Sequence, residues 1–134
     1  MGRFCMGDID HKLWFGVQAT YDADNFGVRG VDPEPDEDGD VSDGLDYTFE
    51  KEHLPLVIEG IEKCKKELGA YKKLLDKFFA ERDSYNDEMV AKALKIPKNT
   101  AKELIVQYAR LELGVKIKKS IKNKGQCYFY AENG

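Results

Sequence analysis

The 134-residue sequence predicts an α+β protein: a small N-terminal antiparallel sheet, a long amphipathic helix, and a C-terminal unit of helix, turn, helix and hairpin. Three observations carry that expectation. Runs rich in strand-forming side chains occur at Leu13 to Val17, Asp46 to Glu50 and Cys127 to Ala131. Leu54, Val57, Ile58, Ile61, Cys64, Leu68, Tyr71, Leu75 and Phe78 recur three or four apart, which is one stripe of a helix. Beyond Ser84, capping residues and Pro97 divide the chain into two shorter helices before the pattern changes period.

The length allows one modest core or two small units sharing a core. The divisions expected are an acidic strand and loop region over 1–50, the amphipathic helix over 51–82 and a basic unit over 83–134. No run approaches twenty apolar residues, the first residues lack the basic and apolar pattern of a leader, and Gly2 lacks the hydroxyl residue at position 6 that favours acylation. A cytoplasmic protein without a membrane partner is the expectation. Cys5, Cys64 and Cys127 are odd in number and far apart, so reduced thiols are expected rather than a disulfide or zinc framework. His11 and His53 have no ligand-like spacing, and no metal or cofactor is expected.

In chain order, Leu13 to Val17 reads as a strand anchored by Trp14 or Phe15. Asp22 to Gly27 reads as a turn or short helical start, closed by glycine and pinned by Phe26. Residues 30–44 carry two prolines, three glycines and dense carboxylates, so an exposed, partly disordered loop is expected. Asp46 to Glu50 regains strand character and is a candidate partner for residues 12–18. The long helix is expected from His53 or Leu54 to Phe79, with Pro55 in its first turn. Gly60 and Gly69 either bend it or admit a close neighbour. Self-association through its stripe, giving a homodimer, is a competing use of the same pattern.

Ser84 with Asp87, or Asn86, can cap a helix to about Leu94 with Met89, Val90, Ala93 and Leu94 inward. Asn99 or Thr100, with Glu103 as reciprocal partner, can start a second helix that Gly114 ends. Val115 to Lys118 alternates apolar and basic, Lys122 to Gly125 is turn-forming, and Cys127 to Ala131 is strand-like, so a hairpin is expected. Cys127 and Phe129 should share one face, Tyr128 and Tyr130 the other.

In layout, residues 84–132 resemble a winged helix-turn-helix, in which the second helix enters the major groove of DNA and a hairpin wing touches the backbone. The resemblance implies roles: Lys98, Asn99, Lys102 and Gln107 facing a groove, Arg110 on its flank, and Lys116, Lys118, Lys119, Lys122 and Lys124 neutralising phosphates. A three-helix unit with a hairpin also serves as a protein-binding scaffold, and Glu103 and Glu112 dilute the positive face.

The net charge of −4 conceals an asymmetry. Residues 1–50 hold thirteen acids against three bases, and the remainder eighteen bases against twelve acids. The halves should attract one another or meet different partners. Asp32, Glu34, Asp36, Glu37, Asp38, Asp40 and Asp43 crowd one segment. Asp36, Asp38 and Asp40 alternate like the start of a calcium loop, but the central glycine and terminal glutamate are missing, so a solvated loop is the better reading. Such a loop can also imitate the charge of DNA and occupy a cationic channel.

Gly7-Asp8-Ile9, Lys12-Leu13-Trp14-Phe15-Gly16-Val17-Gln18 and Asp22-Ala23-Asp24-Asn25-Phe26-Gly27 make the first 27 residues similar to the start of small uncharacterised proteins of bacteriophage or gut-bacterial mobile elements. That resemblance implies a context and brings no assigned chemistry. Phosphate-binding glycine loops, His-Glu metal motifs and nucleophile turns are absent from the sequence, so catalysis is not expected. The leading expectation is a non-enzymatic regulatory protein that binds DNA through its basic unit. The alternative is a phage-encoded inhibitor that binds a host nucleic-acid-processing protein, for example a defence nuclease such as a CRISPR effector, through its acidic or helical surface.

Overall fold

A computed structural model describes residues 3–14, 17–32, 37, 44–82 and 85–132. Strands β1 (Arg3–Gly7), β2 (Asp10–Leu13), β3 (Leu45–Glu50) and β4 (Gln126–Ala131) form one antiparallel sheet in the order β2-β1-β4-β3. Alternation of side chains sends Cys5, His11, Leu13, Tyr47, Phe49, Cys127, Phe129 and Ala131 to a buried inner face. There Tyr47 stacks on Phe129 with ring centroids 5.1 Å apart. Helices α1 (Leu54–Leu68), α2 (Tyr71–Ala80), α3 (Asp87–Leu94) and α4 (Lys98–Lys124) supply the rest of the core.

The α1–α4 contact is the centre of the helical layer. Val57, Ile61, Cys64 and Leu68 on α1 are buried, as are Ile105, Leu113, Ile117 and Ile121 on α4. Phe26, at the end of the 3₁₀ turn Asp22–Phe26, has no exposed surface and pins that turn as expected. A β-carbon at Gly114 would lie 2.4 Å from its ring and one at Gly60 2.7 Å from it, so both glycines make room for this ring.

Several expectations are corrected. The strand expected over Leu13 to Val17 ends at Leu13, because the amides of Val17 and Gln18 turn back to the Trp14 carbonyl. Trp14 instead packs edge-on against Phe79 at 5.2 Å, and Phe15 lies outside the described residues. Among the described residues none of 12–18 pairs with 46–50: β2 pairs with β1, and β3 with β4. The long helix is two helices, broken where Gly69 adopts a φ of 53° that other residues resist.

The largest correction concerns the hairpin. Val115 to Lys118 is helical, Gly114 does not end α4, and the helix runs 27 residues to Gly125, whose φ is 81°. Leu113, Gly114, Ile117, Ser120 and Ile121 are buried at the spacing of one helical face, and that packing outweighs a four-residue alternation. β4 is a strand with the expected two faces, but its partners are β1 and β3, so no wing forms. Residues 98–100 are already helical after Pro97, and no side-chain cap from Asn99 or Thr100 is made. The α3 helix begins as expected, with Asn86 Oδ1 accepting from the Met89 amide at 2.8 Å; Ser84 lies outside the described residues.

Candidate functional site

Two regions of opposite charge are the candidates. The first is α3, the Lys95–Pro97 turn and α4. Lys98, Asn99 and Lys102 are exposed at the start of α4. Lys98 Nζ lies 3.7 Å from Glu88 and Lys102 Nζ 3.8 Å from Asp87, both loose surface pairs. Successive helical residues rotate by about 100°, so the remaining cations wind round a rod about 40 Å long rather than lining one wing.

Several of those cations have internal partners. Arg110 Nε donates to Asp22 Oδ1 at 3.1 Å. Lys116 Nζ donates to the Asp10 carbonyl and to His11 Nδ1, each at 3.1 Å. Lys124 Nζ reaches Asp8 Oδ1 at 3.5 Å. Gln107 lines a cavity of about 150 Å³ with Arg110, Lys63 and Cys64. Lys119 and Lys122 are exposed and Lys118 is partly covered. The attraction expected between the halves of the chain is therefore present as specific bonds.

One of these extends into a buried polar chain. His11 is 2% exposed, and its Nε2 stands 2.9 Å from Gln18 Oε1. Gln18 Nε2 donates to Asp22 Oδ2 at 2.8 Å, which orients the amide, and Oε1 also accepts the Trp14 amide. Since Oε1 has no proton to give, the network assigns the imidazole proton to Nε2 and a lone pair to Nδ1, facing Lys116. Burial holds the His11 pKa below its ordinary value, only partly opposed by the Gln18 bond. The chain from Lys116 to Arg110 is thus a structural tie with a neutral imidazole in it.

The second region is the outer face of the sheet, which sequence reasoning did not foresee because β1 was not expected. Met6 pairs with Asp10 and Tyr130, and Tyr130 with Asp46, so one row reads Asp10, Met6, Tyr130, Asp46 across all four strands. Phe4 (37% exposed), Met6 (49%) and Tyr128 (42%) leave a patch of apolar surface uncovered. The Tyr128 hydroxyl donates to Asp46 Oδ1 at 3.1 Å. Among the described outward side chains of the four strands, Asp10, Asp46 and Glu50 are acidic and Lys12 alone is basic.

Residues that flank the acidic segment lie beside this face. Val31 and Asp46 exchange backbone hydrogen bonds, and the Gly44 amide donates to the Tyr130 hydroxyl at 2.9 Å. Val31 and Gly44 therefore both lie beside the rim of the outer face. Asp32 and Glu37 are exposed; Glu34, Asp36, Asp38, Asp40 and Asp43 lie outside the described residues.

Other reactive groups are occupied. Burial pushes the Cys5 thiol up to about 12 and the Cys127 thiol up to about 11, and raises Cys64 as well, which is the opposite of nucleophile activation. Glu50, Glu52 and His53 have ligand atoms within 4.8 Å of one another. There the Glu50 amide donates to His53 Nδ1 at 2.9 Å, within a reciprocal cap of the 3₁₀ turn Lys51–His53. Among the described residues no helix is long and apolar enough to cross a membrane.

What the described residues define is a mixed α+β fold with helices on one sheet face and Phe4, Met6 and Tyr128 exposed on the other. No protein-family model, curated protein or solved structure matches the chain.

Proposed function

We propose that this chain is a non-enzymatic interaction protein whose acidic pole binds the cationic surface of a nucleic-acid-processing protein. The supporting observations are the outer sheet face, where Asp10, Asp46 and Glu50 outnumber Lys12, and the seven carboxylates that the sequence places between Val31 and Gly44, two residues that lie beside that face. Fields of one sign concentrated this way speed encounter with an oppositely charged surface by about tenfold or more at low salt. Several cations of α4 are meanwhile occupied inside the fold, which reduces what remains for phosphate. A defence nuclease of a bacterial host is the partner that the mobile-element resemblance suggests.

Affinity capture from a bacterial lysate tests this reading. The expected result is a protein complex that survives nuclease treatment and is lost when Asp32, Glu34, Asp36, Glu37, Asp38, Asp40 and Asp43 are neutralised together. Capture that disappears with nuclease, or ignores the neutralisation, contradicts it.

Nucleic-acid binding is the second reading, and one observation favours it. Lys98, Asn99 and Lys102 are all exposed at the start of α4, and ion pairs as loose as theirs are worth about 0–1 kcal/mol, too little to withhold them from phosphate. A low-salt titration with duplex DNA that weakens in the K98A/K102A variant would support it; unchanged affinity would end it.

A further inference from the structure

Resting on the reading of an acidic pole that takes a cationic protein, we infer that its outer sheet face is the docking surface for an arginine-bearing extended segment of that partner. Phe4, Met6, Tyr128 and Tyr130 form the platform, and Asp10, Asp46 and Glu132 form its carboxylate rim.

Backbone groups at both edges of the sheet are already engaged, which disfavours strand addition and favours the face. On β2, Lys116 already donates to the Asp10 carbonyl. On β3, the Asp46 backbone is bonded to Val31, and backbone groups two residues apart along a strand point the same way. Asp46, Thr48 and Glu50 therefore direct their amides outward. Val31 covers the first and His53 accepts from the last, so only Thr48 lies between two blocked positions. A run of paired backbone bonds with a new strand has no room to start.

The face itself favours a planar cation. Met6 and Tyr130 are direct neighbours across β1 and β4, and the carboxylates of Asp10 and Asp46 end their row. Glu132 closes another side, its backbone amide donating to the Phe4 carbonyl at 3.0 Å. Aromatic faces attract cations, and a guanidinium can stack on a ring while its edge donates to a carboxylate. An ammonium group gains the charge but not the stacking. Along an extended peptide alternate side chains point the same way, about 7 Å apart, the same spacing that separates Phe4 from Met6 and Tyr128 from Tyr130.

The test uses the full chain and short synthetic peptides in which serine alternates with arginine, with lysine or with glutamate, read by calorimetric titration. The arginine peptide should bind about fivefold more tightly than the lysine peptide of equal charge. That preference should vanish in M6S/Y128S, whose exposed positions leave the core untouched, and persist in Y128F, which keeps the ring. Neutralising the seven acids from Asp32 to Asp43 should weaken both cationic peptides alike. Equal affinity for arginine and lysine peptides, or a preference indifferent to M6S/Y128S, overturns the inference while the acidic-pole reading stands. No gain of either cationic peptide over the glutamate peptide overturns both. Preferential binding of single-stranded oligothymidine, or a dimer of the chain abolished by M6S/Y128S, assigns the face to another occupant and also overturns the inference.

Discussion

Asp22 and Arg110, separated by 88 positions in the sequence, meet at 3.1 Å beneath a surface that leaves Asp22 only 5% and Arg110 23% exposed. This pair fastens the acidic half of the chain to α4, and it gives a residue expected to flank a DNA groove a buried partner within the fold. Arg110→Met removes the donor to Asp22 Oδ1 and leaves a buried carboxylate whose Oδ2 still accepts from the Gln18 amide. Breaking a buried pair costs about 3–5 kcal/mol, and partial exposure of Arg110 lowers the expected loss to about 2 kcal/mol. Chemical denaturation should show that loss, with partial recovery in D22N/R110M. Unchanged stability would return Arg110 to the surface.

Gly114→Ala is expected to destabilise although alanine favours helix by about 1 kcal/mol. Its β-carbon would stand 2.4 Å from the Phe26 ring, which is itself fully buried and backed by Gly60. Overpacking of this kind costs about 1–3 kcal/mol, so the net loss should be about 1 kcal/mol. Thermal melts of G114A and of G114A/F26L check it, the second variant recovering part of the loss.

These glycines show what the sequence did and did not disclose. Gly60 and Gly69 looked alike as glycines inside a helical pattern and Gly114 looked like a helix end, yet Gly60 and Gly114 both admit a ring and Gly69 breaks the helix. The ring at Gly60 and Gly114 belongs to Phe26, a residue remote in sequence. The two faces of Cys127 to Ala131 were legible because alternation is local, whereas the partners of that strand were not, since β1 is five residues long and ends in Gly7. The charge asymmetry was legible as a sum; its resolution into Asp22–Arg110 and Asp8–Lys124 depended on the packing of α4. Val115 to Lys118 satisfied both a short strand pattern and a helical face, and burial against α1 decided for the helix.

Below neutral pH, His11 should make the fold less stable. Its pKa is depressed in the folded state, so the unfolded chain binds the extra proton first, and stability falls as pH drops below 6.5 toward the folded value. Glu112 acts in the opposite direction, since burial raises its pKa above 4.5 and its stabilising contribution is lost as pH rises. The difference between wild type and H11Q isolates the histidine. Denaturation midpoints from pH 7 down to 5 should fall more steeply in the wild type, and parallel curves would remove His11 from the linkage.

All three cysteines should resist alkylation while the chain is folded. Their thiols are buried and their pKa values raised, so thiolate is scarce at neutral pH. Iodoacetamide followed by mass analysis should find negligible native labelling and complete labelling in denaturant. Rapid native modification of any one would place that thiol at the surface.

The choice between the two poles can be read on the bound protein itself. Hydroxyl-radical footprinting of the chain, free and in its captured complex, compares Met6 and Tyr128 on the open sheet face with Met89 on α3 and the start of α4. The expected result is strong protection of Met6 and Tyr128 with Met89 unchanged. Protection confined to Met89 and residues 98–102, with Met6 and Tyr128 oxidised as fast as in the free chain, would contradict binding through the acidic pole.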